Sequence, residues 1–204
     1  MSVQDEDEQP HPLDVSRLKF QLQYGDRAAR SDAIRNIIAL GDAAVPLVGD
    51  VVALYRSGQP CATSSLVELY VATSAPEILV ALRDSGDLFK LGPADQCELL
   101  KWGVSDLEPQ LLEYLHNHWN EDDNSDRRLI VDALAVVGSE SALEMLKVIS
   151  VDITDKLPEE NLNASAQAPI EEVILKRLKA RSRQDFRETV RSAIRQIAKR
   201  VPEE

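Results

Sequence analysis

Apolar positions in the first three quarters of the chain recur at three- and four-residue spacing and stop at short, regularly placed breaks. In DAIRNIIALGDAAVPLV, residues 32–48, Ala33, Ile34, Ile37, Ile38 and Leu40 form one stripe, with Arg35 and Asn36 on the other face. Gly41 is suited to the left-handed backbone that ends a helix, and Asp42 to accepting the free N–H groups of the next one. Pro46 then falls in a first turn, where its missing N–H costs little. A second stripe runs through Val48, Val51, Val52 and Tyr55 to Ser57 and Gly58. The pattern predicts a tight helical hairpin.

The same grammar returns three times. CATSSLVELYVATSAPEILVAL, residues 61–82, predicts a helix through Leu66, Leu69 and Tyr70, then a capping box of Ser74 and Glu77 with Pro76 in the first turn. CELLKWGVSDLEPQLLEYL, residues 97–115, breaks at Gly103 and predicts a second capping box of Ser105 and Glu108, followed by Pro109. DRRLIVDALAVVGSESALEMLKVI, residues 126–149, keeps a break at Gly138 and Ser139 but has no proline. Breaks are therefore expected at Gly41, near Thr73, at Gly103 and at Gly138. Leu40, Leu69, Leu100 and Leu134 are expected on the inward faces. A period of about 30 residues, each unit being two helices, predicts an all-α stack of about four hairpins.

The stretches AIRNIIALGDAAVPLV and LIVDALAVVGSESALEML resemble HEAT repeats, especially the short bacterial variety related to phycobilin-lyase repeats. The resemblance covers roughly residues 27–149, with Thr73 standing where glycine is common. It implies an α-solenoid, and repeats of this family mostly build scaffolds and binding surfaces. The predicted organisation is a disordered acidic tail over 1–12, a solenoid over 13–149, a long loop over 150–169 and a C-terminal helical pair over 170–204. A capping helix over Leu13–Gln23 places Val15, Leu18 and Leu22 inward. The last two helices, near 170–181 and 184–200, would turn Ile170, Val173, Ile174 and Leu178, then Phe186, Val190, Ile194 and Ile197 inward.

Composition agrees with helical packing: 204 residues, 44% hydrophobic, with nine aromatics and eight glycines, favour aliphatic side chains between helices over a strand-and-turn protein. No apolar run approaches the roughly 18–20 residues that span a bilayer, and the N-terminus lacks a basic region followed by an apolar core. The expectation is a soluble, cytoplasmic protein without a membrane partner. Cys61 and Cys97, in helical surroundings, are expected to be buried reduced thiols.

Candidate chemistry is sparse. Glu113 and His116 sit at i and i+3, as in half of a di-metal carboxylate site, but no second Glu-x-x-His unit completes it. HEAT-family hydroxylases carry repeated His-Glu dipeptides as iron ligands, and this chain has none. His116 and His118 with Glu121, Asp122 and Asp123 could trap a divalent ion, but a solvated loop is the favoured reading. Ser74, Ser105, Ser125 and Ser139 read as helix caps rather than nucleophiles, and no phosphate-cradling or dinucleotide motif occurs. Trp102 and Trp119 resemble the base-stacking residues of HEAT-like alkylpurine glycosylases, but their acidic surroundings favour packing or interface roles. No catalytic residue, cofactor or metal is expected.

Charge is the most asymmetric feature. Lys176 to Arg200 holds ten Lys and Arg against Asp185 and Glu188, a net of +8; the whole chain is −12, so the remainder carries −20. Within this segment Arg183, Arg187, Arg191, Arg195 and Lys199 recur every fourth residue, a candidate partner-binding ridge bordering the row of Phe186, Val190 and Ile194. A uniformly nucleic-acid-binding solenoid requires the opposite overall charge. The favoured expectation is a non-enzymatic protein-binding adaptor or regulatory subunit; the alternative is a nucleic-acid-associated module that uses the basic C-terminal helices.

Overall fold

The computed structural model describes residues 12–59, 61–121, 125–155 and 170–201. The expected acidic tail over 1–12 lies outside them except for its last residue, as do residues 156–169 of the expected loop. The described elements are ten α-helices and three short 3-10 turns, with no strand among the described residues. None of these helices is long and apolar enough to cross a membrane. The chain divides into two compact units, Met1–Leu91 and Gly92–Glu204, the boundary falling inside the stretch 13–149.

The first unit contains α1 (Pro12–Tyr24), α2 (Arg27–Ala39), α3 (Val45–Arg56), α4 (Thr63–Thr73) and α5 (Pro76–Asp84). Helix α1 matches the expected capping helix, with Leu18 and Leu22 buried. Helix α1 packs on α2 and α3, α2 on α4, and α3 on α5, so alternate helices lie side by side. Polar links at nearly constant spacing join them: Lys19 to Asp50 at 3.3 Å, Arg30 to Gln59 at 2.5 Å and Arg56 to Asp84 at 3.1 Å. The pairs are partly or fully exposed, so these links align hairpins more than they stabilise them.

Two of the predicted caps behave differently. Gly41 does take a left-handed φ of 56°, but Asp42 lies inside a 3-10 turn, Gly41–Ala44, and α3 starts at Val45 without a side-chain cap. The turn uses the i+3 bonding that a helix N-terminus otherwise lacks, leaving Asp42 no free N–H to cap. Ser74 does not start α5; it ends α4 in the left-handed region at φ 52°, its N–H donating to the Tyr70 carbonyl at 2.7 Å. Thr73 assists by donating Oγ1 to the Leu69 carbonyl at 2.7 Å. Ser74 thus occupies the position that glycine fills after α2. Left-handed backbone is costly for residues with a Cβ, so Ser74→Gly is expected to raise stability by about 0.5–1 kcal/mol in urea denaturation. A loss of stability would mean that the Ser74 side chain contributes more than its backbone strain costs.

The second unit contains α6 (Pro93–Lys101), α7 (Glu108–His118), α8 (Ser125–Val137), α9 (Glu140–Asp155) and α10 (Ile170–Ala198). Helix α6 packs on α8, α7 on α9, and both α8 and α9 on α10. Their shared core includes Leu100, Leu111, Ile130, Leu134, Leu146 and Val190. Gly103 ends α6 with φ 90°. Gly138 serves differently: a Cβ there would stand 2.5 Å from the Leu134 carbonyl oxygen and 2.9 Å from the Ala142 Cβ, so close approach rather than backbone handedness requires glycine.

Four expectations are corrected in this unit. Ser105 and Glu108 form no local capping box: Ser105–Leu107 is a 3-10 turn, and Glu108 Oε1 accepts from the N–H and the Oγ of Ser139 at 3.0 and 2.6 Å. The carboxylate thereby links the starts of α7 and α9, 31 residues apart. Helix α9 does not stop at residue 149, because Ile149 and Ile153 extend the buried stripe of Ala142 and Leu146. The expected pair of helices at 170–181 and 184–200 is one 29-residue helix. No glycine or proline separates the two predicted segments, so nothing removes an N–H or favours left-handed backbone there. Leu178, expected inward, is 60% exposed; Ile170, Val173 and Ile174 fall where side-chain surroundings are not described.

Candidate functional site

Helix α10 buries Phe186, Val190, Ala193 and Ile197 at i, i+4, i+7 and i+11, which fixes its rotation against α8 and α9. Ile194, expected in that row, is half-buried beside it. Residues four apart on a helix advance by about 400°, so a row at that spacing drifts about 40° per step around the axis. The five cations consequently do not share one environment. Arg183 and Arg187 are half-buried, whereas Arg191, Arg195 and Lys199 are exposed, Lys199 lying one residue beyond the helix end. The Arg187 Nε is covered and makes no hydrogen bond. Arg195 folds back along its own helix, Nε donating to the Arg191 carbonyl at 3.3 Å. Arg191 and Arg195 line an open groove of about 640 Å³ with Ser150 of α9 and with Ile194 and Glu188. Ile194 is the apolar residue of this lining, beside two cations, one carboxylate and the Ser150 hydroxyl.

The beginning of the ridge opens onto a different feature. Arg127 of α8 is only 4% exposed, donates Nη1 to the Trp119 carbonyl at 2.9 Å, and places its guanidinium carbon 4.4 Å from the centre of the Phe186 ring. The carbonyl is one of the acceptors left over at the end of α7, and the ring presents its negative face to the cation. One side chain therefore ties together the end of α7, the first turn of α8 and the middle of α10. Around it lies a cavity of about 190 Å³ lined by Trp119, Asn120, Arg127, Ile153, Arg183 and Phe186. Both arginines make further interactions beyond these. At the opposite end of α8, Arg200 donates Nη1 to the Ala135 carbonyl at 2.7 Å, so it serves as a helix cap rather than as part of the ridge.

The expected ridge runs over 183–199 and does not include Arg127. A signal was present: Arg127 shares the stripe of Ile130, Val131 and Leu134 at i+3, i+4 and i+7, so helical geometry points it inward. The Trp119 to Phe186 distance in sequence, by contrast, gives no hint that the two meet around one cavity.

The remaining chemistry-bearing groups are dispersed. His118 Nδ1 lies 2.7 Å from Glu121 Oε1, and the His118 ring stacks on Tyr114 at 4.5 Å; Asp122 and Asp123 fall outside the described residues. No group of three metal-ligating side chains converges among the described residues. Cys97 is buried and Cys61 half-buried, and burial pushes their thiols up to about 12 and about 11. Neither is an effective thiolate at neutral pH. In the first unit Tyr55 bonds Ser85 at 2.6 Å and donates to Asp87 Oδ2 at 2.5 Å. Burial, then the Asp87 hydrogen bond, raises the Tyr55 phenol, while Tyr55 and then Lys90 hold the Asp87 carboxyl below its ordinary value. The phenol stays protonated near neutrality and is not poised as a general base. Trp102, 45% exposed, ends α6, and half-buried Trp119 ends α7. Compared with protein-family models, with characterised proteins and with solved structures, the chain matches none.

Proposed function

We propose that this chain is a non-enzymatic, HEAT-like helical scaffold that docks an acidic segment of a protein partner along α10. The observation that carries the reading is the groove in which exposed Arg191 and Arg195 flank Ile194 on a helix whose other face is committed to the core. Two cations beside the apolar Ile194 side chain suit a segment that alternates acidic and apolar residues. Support for the scaffold comes from alternate-helix packing within each unit and from cross-hairpin links spaced 28–31 residues apart, close to the sequence period. A phosphate backbone is the competing partner, and a net charge of −12 opposes its approach to the rest of the chain.

Arg191→Glu combined with Arg195→Glu tests the reading with side chains that the core does not use. The native chain is expected to co-purify a stoichiometric protein, and the double variant to lose it while circular dichroism and the denaturation midpoint stay unchanged. Substituting Arg187 would confuse the result, because its covered guanidinium stem packs beside the core. Retention of the partner by the double variant would remove α10 from the interface. A salt-dependent mobility shift with generic duplex, abolished by the same substitutions, would replace the protein partner with nucleic acid.

A further inference from the structure

The outer face of α1, in the first unit, is independent of the α10 groove and has chemistry of its own. Leu18 and Leu22 turn into the core, and Arg17, Phe20 and Tyr24, at i, i+3 and i+7, lie on roughly the opposite side of the helix. Phe20 is 64% and Tyr24 72% exposed, with their ring centres 5.1 Å apart. They are the two most exposed large apolar side chains among the described residues. Arg17 is exposed and pairs with no carboxylate among the described residues, whereas Lys19 is engaged by Asp50. We propose that the chain's own acidic segment 5–8, Asp5, Glu6, Asp7 and Glu8, folds back on α1 and covers this face.

Reach and charge both fit. Residues 5–8 stand four to seven residues before Pro12, so an extended connection spans at most about 14–25 Å. Arg17 lies about 7.5 Å and Phe20 about 12 Å along the helix axis from Pro12, within that reach once the chain reverses. Val3, nine residues before Pro12, extends far enough to lie against the Phe20 and Tyr24 rings. The Arg17 guanidinium offers a carboxylate its planar fork, and the rings lose water against Val3. Composition alone predicts disorder for this segment, because it has few apolar residues to bury and its charges repel one another. Helix α1 supplies the counter-charge and the apolar surface that the segment lacks. One exposed ion pair contributes little, but a tether of a few residues holds the segment at a millimolar effective concentration, which populates a weak contact. A second copy of the chain brings the same cation to the same face, and like charge disfavours it. The cover also hides an adjoining aromatic pair that would otherwise invite association.

The test uses the full chain labelled with para-fluorophenylalanine at its three phenylalanines, the Phe20 fluorine signal being assigned by its loss in Phe20→Leu. Exposure is read from the change in that signal between light and heavy water. Neutralising the segment with Asp5→Asn, Glu6→Gln, Asp7→Asn and Glu8→Gln is expected to raise the Phe20 response about twofold, and ~0.5 M salt to do the same in the native chain. Arg17→Gln should match the neutralised segment. Arg17→Glu combined with Asp5→Lys, Glu6→Lys, Asp7→Lys and Glu8→Lys should restore the native value, a rescue that a purely structural role of Arg17 would not give. Phe89, 46% exposed, should respond to none of these changes. An unchanged Phe20 response in the neutralised variant would overturn the proposal, as would failure of the charge exchange to restore protection. Protection that grows with protein concentration between ~20 and ~500 µM would also overturn it, by assigning the cover to a second copy.

Discussion

Leu134→Ala is expected to lower stability by about 2–5 kcal/mol, toward the upper end of that range, whereas Leu40→Ala should cost less than about 1.5 kcal/mol. Both leucines occupy the stripe predicted to face inward. Leu134 is 0% exposed at the crossing of α8 with α6 and α10, while Leu40 is a half-buried residue at the end of α2. The cost of truncation depends on whether neighbours can close the void. Around Leu134 they are held: its own carbonyl accepts from Gly138 N–H at 2.6 Å, and Arg200 clasps the Ala135 carbonyl beside it at 2.7 Å. Gly138 has no room to move toward Leu134, since even an added Cβ would collide with the Leu134 carbonyl. Urea denaturation of the two variants is the measurement. Equal small shifts would show that the α8 core can collapse, and equal large shifts would show that Leu40 is packed far more tightly than its exposure indicates.

Arg127→Met is expected to cost about 2–3 kcal/mol, although the two side chains are similar in length and apolar reach. Methionine replaces the aliphatic stem but leaves the Trp119 carbonyl without its donor and the Phe186 face without its cation. Phe186→Leu removes the same ring from the other side, and the two changes therefore share an interaction. In a double-variant cycle the coupling between them is expected to be about 0.5–2 kcal/mol. Additivity within about 0.3 kcal/mol would mean that the Phe186 ring contributes nothing to holding Arg127. Because Arg127 meets α7 and α10 together, the loss should also raise hydrogen exchange at the end of α7, which a simple packing defect in α8 would not do.

Local chemistry was legible along the chain. Helical periodicity predicted the all-α class, and the breaks at Gly41, near Thr73, at Gly103 and at Gly138 all fall between helices. Those features depend on residues within a turn or two of each other: a stripe repeats every 3.6 residues, and a backbone that must turn needs glycine or its substitute nearby. The inward positions Leu69, Leu100 and Leu134 followed from the same periodicity. Its reach ended where a helix edge met solvent, as at Leu40 and Leu178.

What each polar side chain bonds was decided only by the tertiary structure. Ser105 and Glu108 have the spacing of a local capping box, yet Glu108 bonds Ser139, 31 residues away, because α7 and α9 pack side by side and a 3-10 turn has already used the local N–H groups. The ridge of Arg183, Arg187, Arg191, Arg195 and Lys199 is uniform as a sequence and divided as a surface. The periodicity set its 40° drift, but the rotation that sinks Arg183 and Arg187 and exposes the others comes from Phe186, Val190, Ala193 and Ile197 locking onto α8 and α9. The cavity around Arg127 required the end of α7 to meet α8, α9 and α10, and no spacing within any one of them encodes that meeting.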